Sequence, residues 1–173
     1  EGGPCEVGLE STIIHVAPDG VLRLLRPGGI PVEKIEALTG CTIATHKSAE
    51  QKSTAELAPG MLASHYAPKK KLTLFDRASL AQALSQQSAL AKIGLLLLSP
   101  LERVGTLPES TKVLSSTGDL SEIARNLFAG LRALDEDAGV HEIWAETPSQ
   151  LEGLSAAVLD RLTRAAAPRL SHS

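Results

Sequence analysis

Hydrophobic residues in the second half of the chain follow a repeating order of short strands and longer helices. Residues 92–99 are apolar almost throughout, which is typical of a strand covered on both faces. Three more strands are predicted at residues 72–75, 112–115 and 142–145. Because helical segments separate these strands, the pattern predicts a parallel sheet with right-handed crossovers, which is a small Rossmann-like α/β domain.

The helices of this domain are predicted from their caps and from apolar positions at helical spacing. Asp76 begins one helix, and Asp119 begins the next with Glu122 as its capping-box partner. The last helix is predicted to start at Thr147-Pro148-Ser149-Gln150, which offers a cap and a first-turn proline. Apolar residues form one stripe on the second helix (Leu120, Ile123, Leu127, Phe128, Leu131, Leu134) and on the last (Leu151, Leu154, Val158, Leu162).

The first 46 residues show a different pattern, in which two β-rich runs flank a turn. Residues 11–16 and 21–26 predict a hairpin, Pro31 begins a short helix, and residues 41–45 form a candidate third strand. One hairpin and one short helix bury too little area to fold alone. We therefore expect residues 1–46 to be the remnant of another domain whose N-terminal part is missing.

A connector at residues 47–70 joins the two regions, and residues 71–173 form the Rossmann-like domain. A passive linker needs only Gly, Ser, Pro or charge. This connector instead keeps Met61, His65 and Tyr66 between prolines, so we expect it to dock on a ligand or a domain. A tyrosine ring stacks on a base or bonds a phosphate, and a histidine supports acid–base chemistry.

Composition narrows the classes of function. The 173 residues are 43% apolar and 21% charged, as in ordinary globular proteins, and the net charge of -3 gives no footprint for direct nucleic-acid binding. The basic run Lys69-Lys70-Lys71 is interpreted as a solvated loop before a strand.

No apolar run reaches the roughly 18–20 residues of a membrane span, so no membrane partner is predicted. Cys5 and Cys41 lack metal-site spacing, which favours reduced thiols in the cytoplasm.

Two places in the first region carry candidate binding chemistry. Ser11 and Thr12 offer adjacent hydroxyls to a polar ligand, although the pair also fits ordinary strand propensity. Pro27 keeps Arg26 extended at a strand end, where its guanidinium can clamp a phosphate, although a surface arginine before a turn fits equally well. In the second region, the loop Glu146-Thr147-Pro148 follows a strand at the edge where open α/β sheets bind ligands. No metal set and no catalytic nucleophile is predicted.

Three motifs together resemble a known family. They are Gly2-Gly3-Pro4 followed by Gly8-Leu9-Glu10-Ser11-Thr12, then Leu24-Leu25-Arg26-Pro27-Gly28, and then Pro59-Gly60-Met61 with His65-Tyr66-Ala67-Pro68. In this order they resemble the C-terminal part of long-form L-threonylcarbamoyladenylate synthases, in which a His-Tyr-Ala-Pro linker joins a YrdC-like catalytic domain to a Rossmann-like domain. The last domain is also similar, although Asp160 stands where the family usually has Asn.

The resemblance implies a nucleotidyltransferase of tRNA modification. The family forms L-threonylcarbamoyladenylate and pyrophosphate from L-threonine, bicarbonate and ATP, with Mg²⁺, and downstream pathway proteins use the product to modify tRNA position 37. The resemblance matches Ser11 and Thr12 to the threonine-binding pair and Arg26 to the arginine at the nucleotide phosphates. It matches Tyr66, and His65 beside it, to the linker residues over the nucleotide. Since the family's phosphate-binding Lys/Arg cluster lies upstream, we expect this chain alone to be inactive; the alternative is a non-catalytic regulatory or partner-docking module.

Overall fold

The computed structural model describes residues 8–45, 67–87, 92–102 and 105–167, which form two sheets with helices packed on them. Along the chain the elements are β1 (Ile13–Val16), β2 (Leu22–Arg26), α1 (Val32–Thr39), β3 (Ile43–Thr45), β4 (Lys71–Phe75), α2 (Arg77–Gln86), β5 (Ile93–Leu97), β6 (Thr111–Val113), α3 (Leu120–Glu136), β7 (Glu142–Glu146) and α4 (Leu154–Ala166). The predicted α/β class is confirmed. In these ranges the helices lack the combination of length and apolar character that crossing a bilayer requires.

The first sheet is built by residues 8–45 and has the order β1-β2-β3. Strands β1 and β2 pair antiparallel, as the predicted hairpin requires, and β3 pairs parallel with β2. Gly20, at a φ of 82°, supplies the left-handed residue of the hairpin turn. Helix α1 crosses between β2 and β3, but none of its residues is buried.

The second sheet has the order β4-β7-β5-β6, and all of its paired strands are parallel. Side chains alternate between its two faces, as the strand period of two demands. On one face Leu95, Leu97 and Trp144 pack with Leu80 and Leu84 of α2. On the other face Leu96, Leu98, Ile143 and Ala145 pack with the apolar stripes of α3 and α4. This three-layer arrangement confirms the predicted Rossmann-like domain.

Helix α4 starts six or seven residues later than the sequence predicts, so the proposed cap at Thr147 and first-turn proline at Pro148 are wrong. The amide and hydroxyl of Thr147 both donate to the carbonyl of Phe75, at 2.8 and 3.1 Å, which extends the β4–β7 ladder instead of capping a helix. The chain then turns at Gly153, which has a φ of 59° and begins α4 without a side-chain cap. Leu151 accordingly lies outside the helix and is 64% exposed.

Two smaller differences concern the ends of α3. Asp119 caps the helix as predicted by accepting from the amide of Glu122, but the Glu122 carboxylate accepts from the Ser115 hydroxyl instead of closing a reciprocal box. At the other end, the ammonium group of Lys70 donates to the carbonyls of Leu134 and Asp137. Lys70 is therefore a C-terminal cap of α3 and not part of a solvated loop.

Candidate functional site

The end of the β1–β2 hairpin brings two of the predicted site residues together. The Nε and Nη2 atoms of Arg26 donate to the carbonyl oxygen of Ser11 at 3.2 and 3.1 Å, and Nη2 also reaches the Ser11 hydroxyl at 3.3 Å. Arg26 is buried, whereas Ser11 is exposed. The guanidinium thus fixes the backbone of the Ser11 segment while leaving the Ser11 hydroxyl accessible to solvent.

Thr12 uses its hydroxyl differently from Ser11. Its Oγ1 donates to the carbonyl of Ile30 at 2.5 Å and accepts from the amide of Ile30 at 3.3 Å. Both bonds tie β1 to the loop that follows β2. Thr12 therefore anchors the local backbone, and Ser11 is the more exposed of the two predicted residues.

Close backbone packing holds these two segments in register. The amide of Gly29 donates to the carbonyl of Glu10 at 2.9 Å. A Cβ atom added at Gly28 would overlap the backbone of Glu10, Ser11 and Thr12. Glycine is needed at this position because the Arg26-Pro27-Gly28 turn lies directly on the segment that carries the hydroxyls.

Arg161 of α4 attaches this site to the Rossmann-like domain. Its side chain is 2% exposed; Nε bonds the Glu10 carboxylate at 2.8 Å, Nη2 bonds the Pro27 carbonyl at 3.1 Å, and Nη1 bonds Asp160. Leu9 extends the same contact, because it belongs to the apolar core of α3 and α4. One buried guanidinium therefore holds both site segments against the second domain.

Sequence reasoning assigned no role to Glu10, which stands inside the first motif of the resemblance, or to Arg161, which follows Asp160 in the last helix. Their partnership spans 151 positions, so no local pattern reveals it. The available signal was that Arg161 lies on the apolar stripe of the last helix, three residues after Val158 and four before Ala165. Such a residue is paired when it is buried.

A small cavity of about 90 Å³ lies beside Thr12, between α1 and the start of α4. Typical small-molecule sites measure roughly 300–1,000 Å³. This cavity is therefore too small to hold a nucleotide by itself.

An exposed arginine on the same strand provides a contrast to Arg26. Arg23 pairs with Asp19 at 3.5 Å on the solvent side of the hairpin. The pKa of Asp19 is lowered, mainly by the hydrogen bond from the Val21 amide and further by Arg23. Arg23 makes no contact with Ser11 or Thr12, which makes it a matched control for Arg26.

The other predicted site residues, His65 and Tyr66, lie outside the residues that the structure describes. Within the described ranges, no group of three or more His, Cys, Asp or Glu side chains is arranged to hold a metal ion. Cys41 is an exposed free thiol.

Comparison with known proteins gives a consistent family assignment. Residues 30–167 match the family model described as threonylcarbamoyl-AMP synthase, C-terminal domain. The chain is 34% identical over 176 residues to the threonylcarbamoyl-AMP synthase of Pyrococcus abyssi and 33% identical over 174 residues to that of Bacillus subtilis. These alignments cover 98% of the chain and 49% of each relative, so the chain spans about half the length of these relatives.

Solved structures agree with the sequence matches. The structure of P. abyssi Sua5 complexed with L-threonine superposes with a TM-score of 0.73 at 32% identity, covering 96% of this chain and 48% of that one. A variant of P. abyssi Sua5, in which a neighbouring histidine and tyrosine are replaced by alanine, gives a TM-score of 0.68 at 30% identity over 93% of this chain and 46% of that one. The chain therefore belongs to the family of threonylcarbamoyl-AMP synthase C-terminal domains.

Proposed function

We propose that this chain works as the C-terminal part of an enzyme that forms L-threonylcarbamoyladenylate from L-threonine, bicarbonate and ATP. The amine of threonine and bicarbonate form a carbamate with loss of water, and a carbamate oxygen then attacks the α-phosphorus of ATP. The new bond joins that oxygen to the α-phosphorus, and the bond to the departing pyrophosphate breaks. No covalent enzyme intermediate is required, so the protein acts by positioning and by charge neutralisation.

The observation that carries this proposal is the contact between Ser11 and Arg26. The reaction needs the threonine carbamate and the nucleotide phosphates to meet within one site. Ser11, assigned to threonine, and Arg26, assigned to the phosphates, lie within 3.1–3.3 Å of each other. A site that binds threonine at Ser11 and the phosphates at Arg26 brings the two substrates close together, and this proximity favours attack on the α-phosphorus.

The two hydroxyls take separate roles in the proposal. Ser11 contacts threonine, because its hydroxyl faces solvent beside the buried guanidinium. Thr12 is a positioning residue that keeps β1 fixed to Ile30. Arg26 contributes positive charge at the phosphates while its bonds to the Ser11 carbonyl set the spacing of the two substrates.

The connector supplies the remaining candidates for ATP binding. In the proposal Tyr66, the only tyrosine of the chain, closes over the nucleotide, and His65 stands beside it. A solved variant of the P. abyssi relative replaces a neighbouring histidine and tyrosine, which supports testing this pair together.

Mg²⁺ is the expected companion of ATP, but the described residues do not fit a protein-built site for it. They bring together no group of three or more side chains suited to metal ligation.

We further propose a cytoplasmic location and a place upstream of the proteins that transfer the threonylcarbamoyl group to tRNA. A reducing compartment preserves the exposed thiol of Cys41. The adenylate product is an activated acyl donor, so an acceptor-modifying reaction must consume it.

Pyrophosphate release tests the proposal in the full-length protein that carries this chain. Release from ATP should require both L-threonine and bicarbonate. Pyrophosphate release that does not depend on L-threonine or does not depend on bicarbonate would contradict the synthase assignment. A lack of any release from folded protein that binds ATP would also contradict it. The second result would favour a regulatory or docking module.

A further inference from the structure

An open cleft of about 440 Å³ lies on the Rossmann-like domain, away from Ser11 and Arg26. All four strands of the second sheet contribute to it with the residues that follow their C-terminal ends. Among its lining residues are Arg77 after β4, Ser99 after β5, Gly118 after β6 and Ser149 after β7. Its volume falls within the range of roughly 300–1,000 Å³ that small-molecule sites occupy.

The topology of the sheet places this cleft where ligands bind in open α/β folds. The chain leaves β4 towards α2 on one face and leaves the neighbouring β7 towards α4 on the other face. Such divergence at the C-terminal edge opens a crevice between adjacent strands.

A buried hydroxyl without a partner lines the cleft. Ser155, in the first turn of α4, is 3% exposed, and its Oγ has no hydrogen-bond partner among the described residues. A buried hydroxyl that lacks a hydrogen bond has lost its contact with water without compensation, which is unfavourable. A ligand acceptor in the cleft would satisfy this group.

The electrostatics of the cleft favour an anionic ligand. Asp76 and Asp119 cap the amino ends of α2 and α3, whereas α4 begins at Gly153 without a side-chain cap and has no acidic residue in its first turn. Among the described residues that line the cleft, the one carboxylate is that of Glu146, which Arg77 neutralises at 2.6 Å and which also accepts from the Leu98 amide at 2.9 Å. The amino end of a helix attracts negative charge. The Glu33 carboxylate accepts from the Gly153 amide at 3.2 Å, but Glu33 lines the smaller cavity beside Thr12 and not this cleft.

We propose that this cleft binds a small organic molecule with an oxyanion group, a carboxylate or a phosphate. The oxyanion accepts hydrogen bonds from Ser155 Oγ and the amino end of α4, while the apolar part lies against Leu120 and Ile123. The Arg77–Glu146 pair forms a fixed polar wall. This binding site is independent of the synthase proposal, since none of its residues belongs to the Ser11–Arg26 site.

Titration of the chain with three probes, followed by amide NMR signals of Ser155 and Gly118, tests the site. Inorganic phosphate represents a phosphate ligand, succinate represents a carboxylate ligand, and glucose is the uncharged comparison. Saturable shifts with phosphate or succinate and none with glucose are expected, and the stronger anion identifies the class. Equal shifts with all three probes, or no saturable shift with either anion, would overturn the proposal.

The Ser155→Ala variant distinguishes an effect on anion affinity from an effect on the stability of the fold. It should weaken anion binding roughly tenfold, the usual effect of losing a hydrogen bond to a charged group, while stability stays equal or rises because an unsatisfied hydroxyl is removed. Ser85→Ala, on the exposed part of α2 and outside the cleft, is the matched control and should bind like the unchanged chain. Unchanged affinity in Ser155→Ala would overturn the assignment of Ser155.

Two substitutions of opposite charge at Ser149, an exposed residue of the cleft, test whether the ligand is negatively charged. Ser149→Asp should weaken anion binding and Ser149→Lys should strengthen it, with both effects decreasing as salt is added. The opposite order would show that the cleft does not select an anion.

Discussion

The two regions of the molecule differ in how they bury their apolar side chains. Residues 67–167 cover both faces of their sheet with helices and enclose two apolar cores. Residues 8–45 form a sheet with a helix that buries none of its residues. Of the six large hydrophobic side chains that are exposed in the described parts, four belong to this first region: Val16, Val21, Ile30 and Leu38.

This difference in burial shows how the candidate site is held in place. The first region is attached to the second through Leu9 and the bonds of Arg161, so its geometry depends on a neighbour. Its exposed apolar residues fit the proposal that it also belongs to a larger catalytic domain. The second region, by contrast, has the layered core of an independent domain.

The largest expected effect is on the free energy of unfolding, when a buried leucine of the second region is compared with an exposed leucine of the first. Leu127→Ala in α3, whose side chain is fully buried, should lower the free energy of unfolding by about 3–5 kcal/mol because it leaves a cavity. Leu38→Ala, at a side chain that is 79% exposed, should change it by less than about 0.5 kcal/mol. Urea unfolding followed by fluorescence of Trp144, the only tryptophan, measures both; equal losses would contradict the comparison.

The next effect concerns the attachment of one region to the other. Arg161→Met should cost about 2–4 kcal/mol, because it removes the bonds of a buried guanidinium to the Glu10 carboxylate and the Pro27 carbonyl, while Asp160 keeps its ion pair with Arg164. Amide exchange in β1 and β2 should accelerate more than exchange in β5. Arg132→Met, at an exposed position of α3, is the control. Uniform acceleration across both sheets would show that Arg161 stabilises the second domain alone.

The smallest effect is a pH dependence within the second region. Hydrogen bonds from the Ser79 hydroxyl and amide lower the pKa of Asp76, the cap of α2. A lowered pKa in the folded state means that the cap stabilises the fold above the ordinary aspartate pKa and loses this effect as pH falls through the lowered value. In Ser79→Ala, NMR titration should find the Asp76 pKa closer to its ordinary value. An unchanged pKa would contradict this cause.

Local sequence patterns predicted most of the second region correctly. The strand at residues 92–99 and the stripe of α3 are recognisable because their periodicity reports directly on burial. The start of α4 was mispredicted because Thr147 bonds Phe75 across the sheet, and this interaction between distant residues outweighs the local capping signal. The strand order β4-β7-β5-β6 likewise depends on long-range pairing that no single segment contains.

The candidate site was only partly predictable. Ser11, Thr12 and Arg26 were predicted as site residues through their motifs, but the separate use of the two hydroxyls follows from the contact of Thr12 with Ile30. The support from Arg161 was not found, because its partners are distant in sequence. Hydrogen bonds between remote segments are set by the fold and leave no periodic signal.

The most direct test of the central claim compares two arginines of the same strand in the full-length protein. Arg26→Ala should lower kcat/KM for threonine-dependent pyrophosphate release by about 100-fold, since it removes the charge that we propose for the reacting phosphates. Arg26→Lys should recover part of that loss, because it keeps the charge without the two-atom clamp on Ser11. Arg23→Ala, which removes only an exposed ion pair, should stay within about twofold. Equal activity of folded Arg26→Ala and Arg23→Ala proteins would contradict the account.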